Sequence, residues 1–382
     1  MFDFLRRSNR PAHPRRPRPV ARHNRRLAGE ALEPRLCLSA ASVMMFSAMP
    51  TNNGTQVMLS GTVMDERPAN VVLTFSGVAA GSVSPNAQGQ FSLVTTASGV
   101  GQVTAIAVDD ESFSSNPAYA YVMNAVPSVS MLSVGETGNG RWVTVSGNVM
   151  DEVSSGRTVT FGGVVSGTAV TGSGGAFSVS LEASALGTVT ATTVDPWGQT
   201  SAVKQATLSS GVPSLSIGVS EVAGGKVAVS GTVNDMTKAG LTITIGGVAS
   251  GTATTNSRGY FSVTLDASAL GTVTATTQDV WGQGSNVAQA SFTSIAPEII
   301  AFTGTWVEGT TWLFTGTVCD VSPVGLTVVF SGAISGQTTT GANGAFAFYF
   351  NVPHGTFEDA GAQVTDIWGL ESQIAEFFVA FA

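Results

Sequence analysis

The sequence is poor in charge and in cysteine. Charged residues make up 11% of the 382 residues, compared with about 25% in a typical soluble domain. The two cysteines, Cys37 and Cys319, lie at opposite ends of the chain. They cannot build a disulfide framework, so any folded unit must be held together by packing alone. We expect Cys319 to be a small, half-buried apolar residue and not a reactive thiol.

The residues of catalytic and metal sites are equally scarce. There are 3 histidines, and only His354 lies beyond the first 40 residues, in a Pro-His-Gly turn away from every repeated acid or nucleophile. The sequence has no His/Cys metal cluster, phosphate-cradling glycine loop or Gly-x-Ser-x-Gly elbow. We therefore expect a protein that is not an enzyme and that carries no cofactor.

Charge is distributed unevenly along the chain. Residues 1–40 contain ten arginines and three acidic residues, a net charge of +7. The remaining residues contain seven basic and 22 acidic side chains, a net charge of −15. An acidic body argues against nucleic acid as a partner, because phosphates require cations to neutralise them.

The first 50 residues form a predicted leader with an export segment. Residues 6–26 are rich in Arg and Pro, bury no apolar surface and are expected to be disordered. Residues 36–49 are weakly apolar and too short to span a bilayer. A basic stretch followed by such a run is typical of a signal segment; the alternative is a basic tail that binds nucleic acid.

One short segment of the leader resembles a known export motif. Residues 31–39 read Ala-Leu-Glu-Pro-Arg-Leu-Cys-Leu-Ser, similar to the Leu-Glu-Pro-Arg-x-Leu-Leu segment near the N-termini of many planctomycete surface and secreted proteins. The resemblance implies an extracellular or cell-surface location. A C-terminal membrane helix and a sorting motif are lacking, so we expect no integral membrane span and retention, if any, through extracellular proteins or glycans.

The rest of the chain is a fourfold repeat. A Ser-Gly-Thr-Val motif or a close variant recurs in steps of 86, 84 and 85 residues. An aspartate four residues later and a Gly-x-Phe pair recur with the same steps. The aligned landmarks are Gly61, Gly147, Gly231 and Gly316; Asp65, Asp151, Asp235 and Asp320; and Phe91, Phe177, Phe261 and Phe346. Such a period indicates tandem modules.

Each repeat has the pattern of a β-sandwich. In the third repeat, apolar and Thr/Ser residues alternate strictly, as over 227–234 and 261–266, which predicts half-buried strands. About seven strands in about 85 residues predict an all-β, immunoglobulin-like sandwich. The predicted limits are 51–125, 126–211, 212–296 and 297–382 for modules one to four, with prolines near each junction to stiffen it.

The modules resemble bacterial immunoglobulin-like repeats of surface proteins, through their Gly-Thr-Val-x-Asp, Gly-x-Phe-Ser-Val and Gly-Thr-Val-Thr-Ala strands. Cadherin-like repeats are a looser match. A prealbumin-like sandwich, as in carboxypeptidase-associated repeats, also shows such motifs, so the strand topology stays open at this point.

Two recurring aspartates per module are the candidate site. The second aspartate opens an Asp-x-Trp-Gly turn in modules two to four, and we expect it to share a pole with the first, facing the preceding module. Carboxylates at a junction are potential calcium ligands; alternatively each caps its own turn while the tryptophan covers the open end of the core. The calcium candidates are Asp151, Asp195, Asp235, Asp279, Asp320 and Asp366.

These features favour an extracellular structural or adhesive rod. The alternative is a calcium-dependent, glycan-binding or protein-binding surface module. Trp142, Trp306 and Trp312 are candidate exposed contacts for such a partner, although core or edge packing at the start of a strand is the favoured role for Trp142.

Overall fold

A computed structural model of the chain describes residues 39–51 and 54–382. The predicted disordered tract and most of the Leu-Glu-Pro-Arg segment lie outside these residues. The described residues form 28 strands and three short 3₁₀ turns, Pro68–Asn70, Ser173–Gly175 and Ala342–Gly344. None of their helices has the length and apolar character needed to cross a membrane.

The strands fall into four sets of seven. Module one contains β1 (Ser42–Pro50), β2 (Gln56–Met64), β3 (Val72–Gly77), β4 (Gly81–Val83), β5 (Gln90–Thr96), β6 (Gly101–Val108) and β7 (Ala118–Val122). Module two contains β8 (Ser128–Glu136), β9 (Trp142–Met150), β10 (Thr158–Gly163), β11 (Gly167–Val170), β12 (Ala176–Glu182), β13 (Gly187–Thr193) and β14 (Lys204–Leu208). Module three contains β15 (Ser214–Val222), β16 (Lys226–Asn234), β17 (Thr242–Gly247), β18 (Gly251–Thr254), β19 (Tyr260–Asp266), β20 (Gly271–Thr277) and β21 (Ala288–Phe292). Module four contains β22 (Glu298–Glu308), β23 (Thr311–Cys319), β24 (Thr327–Gly332), β25 (Gly336–Thr339), β26 (Ala345–Asn351), β27 (Thr356–Val364) and β28 (Ala375–Phe381).

All four modules share one topology. The first, second and fifth strands form a three-stranded sheet, as in β1-β2-β5, and the others form a four-stranded sheet, as in β4-β3-β6-β7. Neighbouring strands are antiparallel. This is an immunoglobulin-like order in which the short fourth strand joins the sheet of the third, sixth and seventh strands. The fold is therefore four immunoglobulin-like sandwiches, and the sheet order decides against the prealbumin-like alternative.

The repeated glycine and phenylalanine meet inside each sandwich. In module three, Gly231 of β16 pairs with Phe261 of β19. A Cβ on Gly231 would lie 2.1 Å from the carbonyl oxygen of Ser216 and 2.9 Å from the Phe261 ring. Only glycine leaves room for this ring, so the two landmarks of the sequence repeat are one packing contact.

The first strand corrects one sequence-based prediction. Residues 42–50, assigned to the leader and its export segment, form β1 and pair with β2 from Ser42–Met64 to Pro50–Val57. Ala41 and Ala48 are buried in the core of module one. These residues therefore belong to the first sandwich. The other module limits stay predictions.

Candidate functional site: the junctions between modules

The Asp-x-Trp-Gly turns are tight loops capped by their own aspartate. In module three, Asp279 Oδ1 accepts hydrogen bonds from the backbone N–H groups of Trp281 (2.9 Å) and Gln283 (2.7 Å). The N–H of Gly282 donates to the Asp279 carbonyl, and Gly282 has a φ of 84°. A positive φ favours glycine, and an aspartate side chain that binds backbone two residues on is a common turn device.

The same turn recurs in the other modules. Asp195 and Asp366 also accept a backbone N–H bond from the residue four positions further on, Gln199 and Leu370, at 2.7 Å each. Module one keeps the loop around Asp109 but places Ser112, with φ 70°, where the others have glycine. The predicted turn-capping role of the second aspartate is therefore present in all four modules.

The tryptophan of each turn contacts the core of the preceding module. Trp197 packs against the core of module one, Trp281 against that of module two and Trp368 against that of module three. Trp368 meets Phe292 edge-on, with ring centroids 5.4 Å apart. The sequence predicts that the tryptophan covers the open end of a core. It does so, but the core is that of the preceding module and not its own.

A carboxylate of the preceding module holds the indole at two junctions. Trp281 Nε1 donates to Glu136 Oε1 at 2.5 Å, and Trp368 Nε1 donates to Glu221 Oε1 at 2.6 Å. Glu221 also accepts a hydrogen bond from Ser294 Oγ at 2.6 Å. Hydrogen bonds to an ionised acceptor are short and strong, so the indole is fixed in both depth and direction.

Further contacts surround the tryptophan at the junction between modules two and three. Arg141 donates from Nε to the Val280 carbonyl at 2.9 Å, and its guanidinium carbon lies 5.8 Å from the Trp281 ring centroid. Thr237 Oγ1 donates to the Gly140 carbonyl at 3.3 Å. These contacts lie between the β8–β9 hairpin of module two and the loops of module three, so they restrict rotation about the tryptophan.

The junction between modules one and two uses a different polar set. Asn124 Nδ2 donates to Asp195 Oδ2 at 2.8 Å, and Gln199 Nε2 donates to the Asn124 carbonyl at 3.3 Å. Arg157 Nε lies 3.2 Å from Asp151 Oδ2 within module two. The shared element of the three junctions is therefore the Asp-Trp turn.

The two aspartates of a module lie at one pole, as predicted. Burial raises the pKa of Asp235, the Thr237 N–H opposes that shift, and the charges of Asp279 and Glu136 raise the pKa further. Burial likewise raises the pKa of Asp320, with Asp366 and Glu221 adding to the shift. Burial also raises the pKa of Asp151, with Glu152 adding to the shift and Arg157 opposing it. The first aspartate of modules two, three and four therefore has a raised pKa, and burial is its main cause.

The calcium prediction has no ready-made ligand cluster. In the part of the chain that the structure describes, no three or more His, Cys, Asp or Glu side chains are grouped so as to hold a metal ion. Calcium requires six to eight oxygens. The Oδ1 atoms of Asp195, Asp279 and Asp366 already accept hydrogen bonds from backbone N–H groups. The other three candidate aspartates lie beside them. Calcium binding stays a prediction.

Asp366 differs from its counterparts in one buried atom. Asp279 Oδ2 accepts from Gln283 Nε2 at 3.0 Å, and Gln199 serves Asp195 in the same way. In module four the corresponding residue is Leu370, and Asp366 Oδ2 is buried without a hydrogen-bond partner among the described residues. A buried acceptor without a partner carries a desolvation cost.

The remaining candidates separate into exposed and buried residues. Trp306 is 53% exposed, as predicted, and Trp142, for which core or edge packing in a strand is the favoured role, is 45% exposed. Trp312, also predicted to be exposed, is 9% exposed and belongs to the core of module four. Cys319 is exposed, which contradicts the half-buried position expected for it, because its side chain falls on the outer face at the end of β23. His354 stacks on Phe381 at 4.3 Å, and its Nδ1 lies 3.0 Å from the Ala382 carbonyl oxygen.

Glu136 and Glu221 were not anticipated from the sequence. A signal for them exists: each lies near the end of its module's first strand, opposite the first buried valine of the second strand. Their spacing follows the repeat. Only the three-dimensional structure reveals that their partners are tryptophans 145 and 147 residues further along.

Comparison with known proteins leaves the chain without a family. No protein-family model matches it, and no curated protein matches it. Among solved structures it is similar to invasin, a bacterial integrin-binding protein, at 17% identity and a TM-score of 0.38, over 89% of this chain and 78% of that one.

Two other solved structures give a similar picture. A D1–D4 ectodomain fragment of ICAM-5 is 14% identical with a TM-score of 0.33, over 89% of this chain and 98% of that one. The BSP domain of a biofilm associated protein is 11% identical with a TM-score of 0.20, over 90% and 96%. Identities and TM-scores this low carry no argument about this chain, whose architecture rests on its own strands and sheets. The fold and its junctions define a tandem immunoglobulin-like sandwich protein.

Proposed function

We propose that this protein is a non-catalytic extracellular rod with a structural or adhesive role. The observation that carries the proposal is the repeated junction, in which a tryptophan of one module packs into the core of the module before it. Because that contact is used three times, the modules are joined as a continuous stack and not as beads on flexible linkers.

The chemistry of the junction supports a fixed angle between modules. An apolar ring sets the depth of contact, and the Trp281–Glu136 bond sets its direction. The Arg141 and Thr237 contacts restrict twist on one side. Stacked modules of this kind gain stability from nearest-neighbour interfaces, which suits a spacer that must hold its length.

In the two middle modules, the outer face of the four-stranded sheet suits a spacer. On the four-stranded sheet of module two, Thr168, Thr160 and Thr192 form a cross-strand row. In module three, Thr252, Thr244 and Thr276 form the equivalent row. Neutral threonine ladders present neither a charged patch nor a large apolar patch, the surface features that usually mark a partner site.

Support for a non-catalytic role comes from the body's single histidine. His354 packs on an aromatic ring and faces a backbone carbonyl, and neither contact is that of a general base with a nucleophile. Support for an extracellular location comes from the resemblance of residues 31–39 to the Leu-Glu-Pro-Arg-x-Leu-Leu segment, since most of the predicted export segment belongs to β1.

Small-angle X-ray scattering of the full chain tests the rod. We expect a particle about four modules long whose flexibility rises when Trp281 and Trp368 are both changed to Ala. Tyr260→Ala, a change to an exposed aromatic of module three, is the matched control. A compact wild-type particle, or equal flexibility in all three proteins, would contradict the proposal.

Module one supplies a second candidate function, binding of an extracellular glycan or protein. Tyr119 and Tyr121 on β7 are 56% and 58% exposed and lie opposite Thr104 and Gln102. Their register equivalents in module two are Gln205 and Thr207. Exposed tyrosines combine a large apolar ring with a polar tip, a common property of recognition surfaces.

A glycan array probed with the full chain tests this second function. The double variant Tyr119→Gln, Tyr121→Thr carries the residues of module two at the same positions, so its fold should be retained. Signal lost in the variant supports a site on β7. Equal signal, or none in either protein, argues against it.

A further inference from the structure

The junction is a head-to-tail interface, and such an interface does not close on itself. The turn of one module and the pole of the one before it are different surfaces. A heterologous contact of this type adds copies without limit unless the free ends differ from the internal surfaces. Two poles are not part of these three junctions: the end of module four at its β22–β23 hairpin (the distal pole) and the end of module one at its Asp109 turn (the proximal pole). Both differ from the poles inside the stack.

Three register positions line each distal pole. The first two positions are paired residues on the first and second strands of the module, such as Glu221 and Val227 in module three. The third lies two residues beyond the last buried residue of the seventh strand. In modules one to three these positions hold Pro50, Val57 and Asn124; Glu136, Val143 and Ser210; and Glu221, Val227 and Ser294. In module four they hold Trp306, Trp312 and Phe381.

The aromatic residues of module four fill its own pole. Trp312 stands where the other modules have a fully buried valine, and its ring centroid lies 5.6 Å from that of Phe381 and 6.3 Å from that of Phe314. His354 stacks on the outer side of Phe381. The indole of Trp312 thus takes up space next to the core that a neighbour's indole uses in modules one to three.

The same substitutions remove the acceptor for an incoming indole. Glu136 and Glu221 receive the tryptophan N–H at the two internal junctions, and Trp306 occupies their register position in module four. A tryptophan docking on module four would find no glutamate at this position, and an unpaired buried donor is costly. Module one also lacks the glutamate, with Pro50 at this position, and still receives Trp197, so the missing acceptor adds to the effect of the aromatic plug and does not close the pole alone.

The proximal pole of module one lacks the opposite half of the interface. Its turn reads Asp109-Asp110-Glu111-Ser112, so a glutamate stands where the other turns carry tryptophan. Arg67 forms ion pairs with Asp110, at 2.9 Å, and with Glu111. A charged, paired turn cannot enter an apolar core end without losing its hydration.

We propose that modules one and four are end caps, which prevent a second copy of this chain from stacking on either pole through the junction interface. The cap of module four is an aromatic plug centred on Trp312, and the cap of module one is the acidic turn paired with Arg67. Copies of this chain therefore do not join end to end through the junction interface.

Two full-chain variants restore the missing halves. The head variant, Glu111→Trp with Ser112→Gly, rebuilds the turn of module one. The tail variant, Trp306→Glu with Trp312→Val and Phe381→Ser, gives module four the residues of module three. Sedimentation velocity then measures the mass of each variant alone, mixed with wild type, and mixed with each other.

We expect a doubling of mass only when the two variants are mixed. No association in that mixture, with both variants folded by circular dichroism, would overturn the proposal. Mass doubling of the head variant alone or with wild type would also overturn it, because the pole of module four would then be open.

The head variant changes only two residues of one turn, so the test of the head variant alone or with wild type remains valid even if the tail variant does not fold. For that case Trp312→Val alone is the substitute: added indole should raise its melting temperature and leave that of the wild type unchanged. No response to indole in the single variant would count against the plug. Scattering by the wild-type chain is unaffected by these results, so failure of the caps is distinguishable from failure of the rod.

Discussion

Replacing Trp281 by alanine should loosen module two, although the residue belongs to module three. A tryptophan side chain buries about 150–250 Å² when enclosed, and Trp281 is half-buried, so about 100 Å² of contact is lost. At about 25 cal/mol per Å² this loss amounts to about 2.5 kcal/mol. The bond to Glu136 adds about 1.5 kcal/mol, the low end for a bond to a charged group, because the glutamate is partly exposed.

Calorimetry of the full chain measures the effect. A loss of about 3–4 kcal/mol, carried by one module of this size, lowers its melting temperature by about 10 °C or more. We expect the transition of module two to move, because its core end is uncovered, while module three keeps its own core. The two transitions should separate on heating.

Two further variants sharpen the test. Tyr260→Ala, which removes an aromatic from the exposed face of module three, should leave module two unchanged. Trp281→Phe keeps a ring but removes the N–H, so its effect should shrink when Glu136 is also changed to Gln. If Trp281→Ala shifts module two no more than Tyr260→Ala does, the junction does not stabilise the stack and the reasoning fails.

Four other outcomes follow from the same geometry. Asp235→Asn keeps the acceptor for the Thr237 N–H but removes a charge whose pKa is raised in the fold. A raised pKa means that the folded state binds the proton more readily, so this contribution stabilises at low pH and is lost as pH rises through the raised value. The variant should therefore be more stable than wild type at pH 7 and should lose that advantage towards pH 4, in paired thermal melts. Ser112→Gly should raise the stability of module one by about 1 kcal/mol, since a non-glycine residue at positive φ is strained; unchanged melting would contradict this. Leu370→Gln should stabilise module four by about 1 kcal/mol by giving Asp366 Oδ2 a donor, and denaturant titration would reveal a smaller or opposite effect. Calcium should leave the melting of the full chain unchanged, and binding heat with a rise in melting temperature would instead establish the calcium site.

The strand pattern and the turns were accessible from the sequence because they are local. Alternation such as Val227, Val229 and Val233 fixes which side of a strand is buried, and the Asp-x-Trp-Gly run specifies a turn that bonds to its own backbone. The same alternation predicts burial of Trp312, which lies an even number of residues from Phe314 and Val318, so the prediction that Trp312 is an exposed contact is wrong.

The junctions were not accessible in the same way. Their key pairs, such as Trp281 with Glu136, are separated by more than a module, and no period of two or three residues reports such a contact. The first strand was missed for a different reason. Its Met, Ser and Ala residues alternate only weakly and carry a bulge between Met44 and Ser47, so residues 42–50 resemble the apolar core of an export segment.

Each tryptophan belongs to one module and covers the core of the module before it, so damage caused by mechanical load should spread through the stack in one direction. When a module is pulled open, its Asp-Trp turn leaves the module before it. The end of that module's core is then exposed to water, and the damage passes on. Module four depends on no later turn because its own aromatics close its pole. Mechanical failure that begins there would travel towards module one, whereas failure that begins in module one would leave the cores of the others closed.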